Sequence, residues 1–495
     1  MVTMKEDVIP KQVIHVVETL EKAGYEAYLV GGCARDLFIG RKPKDWDVTT
    51  NATPDQIIPL FIKTFYENNF GTVGVVDETT DDETLKIVEV TPYRIESAYN
   101  DHRHPDNVVF STNLKDDIKR RDFTINSIAI SLSKGAIKDI IDLYGGIKDI
   151  KDKTIKTVEN ASDRFNEDAL RILRAIRFSV ELGFTIDTEC KTAILAKNHL
   201  LEKISRERIR DEFVKIVMSD NPKKGMEVCH ELGVLKYISP ELEQGIGIEQ
   251  NQAHAFDVWE HLLRSLQHAA DKKWPLDIRI AALFHDVAKP KTRRFSRETM
   301  QYTFYGHEVV GSRETEKILN RLKFPTKFIE KVTNLVRWHM FFSDTEEITL
   351  SAVRRMIVNV GPENIWDLMN LRICDRIGTG RPKEDPYRLR KYKAMVEEAL
   401  RDPISVKMLK IDGNQIIKVT ASAPGPKIGW TLHALLEEVI EDPKLNTEEY
   451  LENRASEMIK LPEKTLRELG EKGKTTKEKE DEKTLNEIKK KYHVS

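Results

Sequence analysis

Leu29-Val30-Gly31-Gly32-Cys33-Ala34-Arg35-Asp36, continuing to Asp45-Trp46-Asp47-Val48, is the stretch whose reading decides the fold. The apolar run from Ala27 to Val30 reads as a strand that ends at two glycines. Cys33 to Ile39 suit a short helix, and Lys44 to Thr49 a second strand. Gly-Gly at the mouth of a helix lets backbone N–H groups approach a phosphate closely, and Arg35 adds charge there. Asp45 and Asp47 lie two apart, so on a strand both carboxylates point to one face. Paired carboxylates opposite a phosphate cradle are what Mg²⁺-dependent phosphoryl transfer requires. The plainer alternative is a glycine turn followed by an exposed acidic strand. It accounts for Gly-Gly alone better than for Gly-Gly combined with Asp-x-Asp.

Gly-Gly, a dozen residues and Asp-x-Asp resemble the nucleotidyltransferase pattern of the DNA polymerase beta superfamily. With Arg35-Asp36 and Thr49-x-Asn51-Ala52-Thr53-Pro54 included, the string looks like that of the class II tRNA CCA-adding enzymes and bacterial poly(A) polymerases. Ala34 is smaller than the usual residue of that pattern, a departure beside the motif.

At 495 residues the chain is too long for one ordinary core and suggests three or four units. Its apolar content of 40% and charged content of 32% describe a soluble, helix-rich protein. No stretch approaches the apolar length of a membrane span, and the start lacks the apolar core of a signal peptide. Cys33, Cys190, Cys229 and Cys374 are far apart, form no disulfide framework or zinc pattern, and fit a reducing cytosol. A formal charge of −2 exerts no global pull on nucleic acid, so RNA binding must come from local basic surfaces.

Along the chain, residues 8–24 have helical periodicity, and Thr53-Pro54 open another helix as N-cap and first helical position. Gly71 to Val76 and Leu85 to Val90 read as a strand pair around an acidic turn at Asp81-Asp82. Glu89 is either a third carboxylate near the metals or a charge on an edge strand. Tyr93 to Pro105 lacks periodicity and reads as a loop. In the resembling family the matching loop serves addition of the terminal A, and its presence here, with Asp101 and Arg103, argues against an enzyme that adds only C. Leu114 to Arg121 is a mixed-charge helix whose end, Arg120-Arg121, is by itself an ordinary solvated terminus. Arg121-Asp122-Phe123-Thr124-x-Asn126 resembles the family's second motif, which implies that Arg121 and Asp122 handle phosphate and sugar. Asp142 to Asp149 then close the head.

Residues 161–240 read as helical throughout. Between Arg164 and Phe178, Leu170, Ile172, Leu173 and Ile176 fall on one face at about 100° per residue. Glu167, Asp168, Arg171, Arg174 and Arg177 take the other half. One account is a solvated face with ion pairs one turn apart. The sharper account starts from the bases. Cytosine and adenine both present an amine donor beside a ring-nitrogen acceptor, whereas guanine and uracil present the reverse. Asp168 and Arg171, one turn apart, would therefore accept CTP and ATP and reject GTP and UTP, leaving Arg174 and Arg177 for triphosphate. Glu-Asp-x-x-Arg is also the amino-acid template of the resembling family.

A Gly- and Gln-rich break from Gln244 to Gln252 precedes further helices. Ile278 to Pro290 reads as an apolar helix, and the His-Asp inside it is costly to bury unpaired. It resembles the HD-type metal phosphohydrolase domain. That resemblance implies His261, His285, Asp286 and Asp375 as first-metal ligands, with His307 and His339 as additional histidines. Nitrogen and oxygen ligands without thiolate suit Mg²⁺, Mn²⁺ or Ni²⁺. Beyond Pro382 the chain is helical, with turns at Asp412-Gly413-Asn414 and at Pro424 to Gly429 before an amphipathic helix from Trp430 to Ile440. Residues 462–495 are of mixed charge and read as a solvated helix or frayed tail.

The expected fold is α+β. A small mixed-sheet nucleotidyltransferase head (1–150) precedes an all-α neck (151–245), an HD-type body (246–385) and a helical tRNA-binding part with a charged tail (386–495). The resemblance implies a cytoplasmic enzyme that adds CCA, or its terminal A, to tRNA from CTP and ATP. Asp45 and Asp47 would hold Mg²⁺, Gly32, Arg35, Arg121 and Asp122 the nucleotide, and the HD site a second divalent metal. A poly(A) polymerase is the nearest alternative, followed by an HD phosphohydrolase with a non-catalytic RNA-binding head.

Overall fold

A computed structural model of the chain describes residues 9–67, 71–96, 108–250, 255–297, 300–341 and 348–471. The fold divides into two compact units, residues 1–238 and 239–495. No helix among the described residues is long and apolar enough to cross a membrane.

Among the described residues of the first unit, nine strands form its main sheet and a flanking pair: β1 (Ala27–Val30), β2 (Trp46–Thr50), β3 (Thr64–Glu67), β4 (Thr72–Val76), β5 (Ile87–Pro92), β6 (Arg94–Glu96), β7 (Val108–Phe110), β8 (Ala129–Ser133) and β9 (Ala136–Ile141). Seven form one sheet in the order β3-β4-β5-β2-β1-β8-β9. The β2–β5 pair is parallel and the others are antiparallel, so the sheet is mixed as expected. Its central strands carry Leu29, Val48, Val90 and Ile130, all fully buried. The helix Lys11–Lys22 covers this face with Val13, Val16, Val17 and Leu20, the stripe that a 3.6-residue period presents to a core. Burial of each such side chain contributes about 1.5–3 kcal/mol.

Several expectations change in detail. β6 and β7 pair antiparallel, so Arg94 to Glu96 are strand and not loop, with partners in Val108 to Phe110. The rest of that segment, with Asp101 and Arg103, lies outside the described residues. Residues 161–240 are helical except for Thr185–Ile186, which pairs in parallel with Thr154–Ile155.

The second unit is almost wholly helical. The helices Val258–Asp271 and Ile365–Gly378 pack side by side, as do Leu276–Phe284 and Thr326–Trp338. The two expected C-terminal turns are helix starts. Asp412 caps Gly413–Thr420 in a capping box with Gln415, and Pro426 opens the helix Pro426–Glu441. Within the mixed-charge tail, Glu463–Glu471 is a packed helix and not a frayed one, because Leu466 is buried in the C-terminal core. Residues beyond 471 lie outside those described.

Candidate active site and metal centre

Gly31 opens the helix Gly31–Ile39 directly off β1, two residues earlier than expected, with φ +75°. A side chain there is disfavoured by the left-handed backbone. Its Cβ would also lie 2.9 Å from Asp47 Oδ2 and 3.4 Å from Arg121 Nη1. A Cβ on Gly32 would stand 3.7 Å from Arg35 Nη2 and 3.8 Å from Asp45 Oδ1. The glycine pair is thus a floor between the acids and the guanidinium groups. Asp47 lies in β2, whereas Asp45 sits in the bend just before it, yet each approaches one glycine of the pair, Asp47 approaching Gly31 and Asp45 approaching Gly32. Glu89 faces Asp47 in register on β5, an interior strand, so it is not the edge charge of the alternative account. Burial, then Asp45 and Glu89, push the Asp47 carboxyl up to about 7 against the pull of Arg121 and Arg35. Carboxylates crowded in this way are relieved by a hard divalent cation, and oxygen donors suit one.

A line of hydrogen bonds runs from this cradle to the neck. Arg35 pairs with Asp36 at 2.8 Å, and its Nη1 donates to Asn126 Oδ1 at 2.8 Å. Asn126 Nδ2 donates to Asp122 Oδ1 at 3.1 Å, and Arg174 Nε donates to Asp122 Oδ2 at 2.8 Å. Burial raises the Asp122 pKa, but Arg174 and Asn126 outweigh it and hold the carboxyl near 2. Phe178 lies beneath three guanidinium groups, those of Arg35, Arg174 and Arg177, at 5.2, 5.4 and 3.9 Å from its ring centre.

The expected single helix through Asp168 is broken. Ala161–Glu167 ends where Asp168 turns extended, with φ −136° and ψ 104°, and Leu170–Leu182 follows. Asp168 Oδ1 accepts from Leu170 N at 3.0 Å, and Oδ2 from Arg208 Nη2 at 2.7 Å. Arg171 does not pair with Asp168. Its Nη1 lies 2.7 Å from Glu167 Oε2, and its Nη2 donates to Arg120 O at 2.9 Å. Arg177 is engaged by Glu212 at 2.6 Å and Glu181 at 2.8 Å. The face is not solvated, since Arg164, Arg171 and Arg177 are all buried.

The second unit gathers all six HD-type residues. His261 comes from Val258–Asp271, and Asp375 from Ile365–Gly378. Gly378 permits that approach, because a Cβ there would meet His261 O at 2.8 Å. His285-Asp286 lie just past the end of Leu276–Phe284 and not inside a helix, which turns both side chains inward. His307 begins the helix His307–Arg321, and His339 caps Thr326–Trp338.

His261 Nε2 lies 3.0 Å from Asp286 Oδ2 and 3.5 Å from Asp375 Oδ1. His285 Nε2 lies 3.3 and 3.7 Å from the same oxygens. On the other side of Asp286, Oδ1 faces His307 Nε2 at 3.1 Å and His339 Nε2 at 3.4 Å. The donor atoms therefore form two groups sharing Asp286, each within 4.8 Å. Among the described residues, such groups of three or more lie in this unit and not in the head.

Nδ1 of His285, His307 and His339 bonds to the carbonyl three residues earlier, at 2.9, 2.7 and 2.7 Å. That bond assigns the proton to Nδ1 and leaves Nε2 as a lone-pair donor, the tautomer a metal ligand needs. The Nε2 atoms of His307 and His339 and Oδ1 of Asp286 are buried without hydrogen bonds, orphans that a divalent metal ion would satisfy.

Sequence reasoning did not single out Asp117. This fully buried carboxylate accepts from Arg120 Nε at 2.9 Å, Arg121 Nη2 at 2.9 Å and Thr49 Oγ1 at 3.2 Å. Its spacing to the two arginines was a usable signal; its burial was not. Arg208 and Lys289 were also unmarked. Lys289 Nζ lies 2.6 Å from Asp286 Oδ2.

Three family descriptions match the chain: "Poly A polymerase head domain" over residues 27–156, "Probable RNA and SrmB- binding site of polymerase A" over 183–246, and "HD domain" over 258–367. A CCA-adding enzyme of Lactiplantibacillus plantarum is 31% identical over 430 residues, 86% of this chain and 90% of the relative. One from Lactococcus lactis is 32% identical over 73% of this chain and 92% of its own length. The chain spans about half the length of other curated relatives, such as the Ligilactobacillus salivarius CCA-adding enzyme, 42% identical over 46% of this chain and 54% of that protein.

Among solved structures, the Bacillus stearothermophilus CCA-adding enzyme in complex with CTP superposes with TM-score 0.67 at 25% identity, covering 90% of this chain and 96% of that one. The Thermotoga maritima CCA-adding enzyme complexed with tRNA shares the fold at TM-score 0.51 and 19% identity, over 91% and 97% of the two chains. With a head built on the Gly-Gly and Asp-x-Asp cradle, and with relatives matched over nearly their whole length, the chain belongs to the family of CCA-adding enzymes.

Proposed function

We propose that the chain transfers CMP and AMP from CTP and ATP to the 3′ end of tRNA, completing CCA and releasing pyrophosphate. The observation that carries this reading is the line Arg35–Asn126–Asp122–Arg174, which couples the glycine cradle to the nucleotide-facing neck helix. The Bacillus stearothermophilus relative solved with CTP and the Thermotoga maritima one with tRNA support it.

Asp45 and Asp47 hold Mg²⁺. Mg²⁺ held there would supply the positive charge that favours ionisation of the attacking 3′-hydroxyl and departure of pyrophosphate. Gly32 and Arg35 take phosphate, Arg121 and Asp122 phosphate and sugar, and Arg174 the triphosphate. Asp168 and Arg171 read the base edge, for which Arg171 must exchange Glu167 for the nucleotide. Arg177, saturated by two carboxylates, fastens the neck. RNA lies along the helical body, held by shape and backbone. The working division is head 1–150, neck 151–245, HD body 246–385 and C-terminal part 386–495, in a cytoplasmic enzyme.

The test offers tRNAs ending at the discriminator base, after the first C and after the second, with each NTP separately. Addition of C, C and A in order supports the reading. Repeated A addition alone would make the chain a poly(A) polymerase, and A addition only after the second C would narrow it to the terminal step.

A second activity is favoured by the six buried ligand-type residues of the HD body. His261, His285, Asp286 and Asp375 hold one divalent ion (Mg²⁺, Mn²⁺ or Ni²⁺), with His307 and His339 completing the site beyond Asp286. Metal bound there supplies Lewis acidity toward a phosphoester. The substrate class is a 2′,3′-cyclic phosphate or a phosphomonoester. Hydrolysis adds one water at phosphorus, breaks one P–O ester bond and leaves the proton on the departing oxygen. His285→Ala with Asp286→Ala abolishes this activity and spares nucleotide addition. No turnover with any of the three metals, and no bound metal by elemental analysis, would reduce the body to a scaffold.

A further inference from the structure

Arg372 and Arg376 stand one turn apart on the helix Ile365–Gly378, flanking the metal-centre residue Asp375, and Arg381 follows just beyond Gly380. All three arginines line a cleft of about 1010 Å³ whose inner wall includes Asp286, His307 and Asp375. Such a volume lies at the top of the range for small-ligand sites. Tyr305 and Tyr387 also line it and are 43% and 65% exposed, large aromatic surfaces left open to solvent.

The charges in this cleft do not cancel. Arg372 is committed to Asp375 Oδ2 at 2.5 Å, and Lys289 to Asp286. Glu308, the remaining acid, stands beside His307, 3.6 Å from its Nδ1. Arg376 Nε donates to Lys383 O at 2.6 Å, a neutral acceptor that leaves its charge uncompensated. Guanidinium groups crowded without matching carboxylates are a phosphate site, and exposed aromatic rings beside them suit unstacked bases.

We propose that the Arg376–Arg381 end of the cleft binds a second phosphate, so that the HD centre takes the 3′ end of an oligonucleotide and reads the phosphodiester upstream of the terminal phosphate. This rests on the phosphohydrolase reading for what happens at the metals, but the phosphate site itself is testable without turnover. Equilibrium binding to the full-length protein is measured with EDTA present, so that neither centre reacts. The probes are adenosine 3′-monophosphate and the dinucleotide ending in the same 3′-phosphate.

The wild type should bind the dinucleotide roughly tenfold more tightly, the worth of one charge-assisted contact. In Arg376→Ala/Arg381→Ala the two probes should bind within about twofold of each other. Arg381→Ala alone, at an exposed position, guards against misfolding and should lose part of the preference. Because neither arginine is in the head, the change between variants isolates the cleft. Equal binding of both probes by the wild type, or a preference that survives both substitutions, overturns the proposal. A preference that is intact while Mg²⁺, Mn²⁺ and Ni²⁺ all fail to support hydrolysis overturns the hydrolase reading and leaves the phosphate site standing.

Discussion

Arg174 Nη2 lies 2.7 Å from Asp122 Oδ2, so a neck arginine closes on an acid of the head's second motif. Because Asp122 also anchors Asn126, and through it Arg35, this one ion pair sets the position of the Arg35 and Arg174 guanidinium groups. Asp122→Asn keeps the shape and removes the charge. It should lower kcat/KM for both CTP and ATP by about ten- to a hundredfold, the range for a lost charge-assisted bond. Equal activity of the variant would separate the pair from catalysis.

A variant at Arg171 tests a different quantity, the choice of base. Arg171→Ala should reduce CTP use by about ten- to a hundredfold and narrow the gap to UTP and GTP. Competition assays with all four nucleotides read this directly. Unchanged selectivity, with only a lower melting temperature, would confine Arg171 to its contacts with Glu167 and Arg120.

Asp117 ties stability to pH. Burial alone would raise its pKa, but Arg120 and Arg121 outweigh burial and hold it at about 2, below the ordinary aspartate value of 3.8. The folded value is thus the depressed one. The stabilisation is complete above about pH 4 and is lost as pH falls toward 2. Asp117→Asn should cost on the order of 2 kcal/mol at pH 7. The wild-type advantage in urea unfolding of the head should shrink between pH 4 and 2. A difference independent of pH would mean that the Thr49 contact, and not charge, dominates.

How much of this was legible in the chain follows from what each feature depends on. The cradle was readable because β1, the glycines and Asp47 are local: a strand end, a left-handed residue and an alternation of two. The six HD-type residues were readable by type, although the helix end that turns His285-Asp286 inward was not. Asp168 failed as a helical residue because its geometry depends on Arg208, forty positions away and invisible to periodicity. Arg177 is claimed by Glu212 for the same reason. Asp117 was hidden because a mixed-charge helix normally faces water, and only the fold puts this carboxylate at zero exposure.

Metal stoichiometry distinguishes the halves of the HD centre. Elemental analysis of protein purified without chelator should find divalent metal that Asp286→Ala removes completely, because Asp286 belongs to both ligand groups. His307→Ala/His339→Ala should remove only the share held beyond Oδ1. Equal loss in both variants would mean that a single ion uses all six residues.

The central claim is that Asp45 and Asp47 carry nucleotide transfer while RNA is held elsewhere. Single-turnover addition of CTP and ATP to a tRNA lacking CCA, measured beside tRNA affinity, tests it most directly. Asp45→Ala and Asp47→Ala should each reduce addition to background and leave tRNA binding nearly unchanged. Normal incorporation by either variant would contradict the assignment.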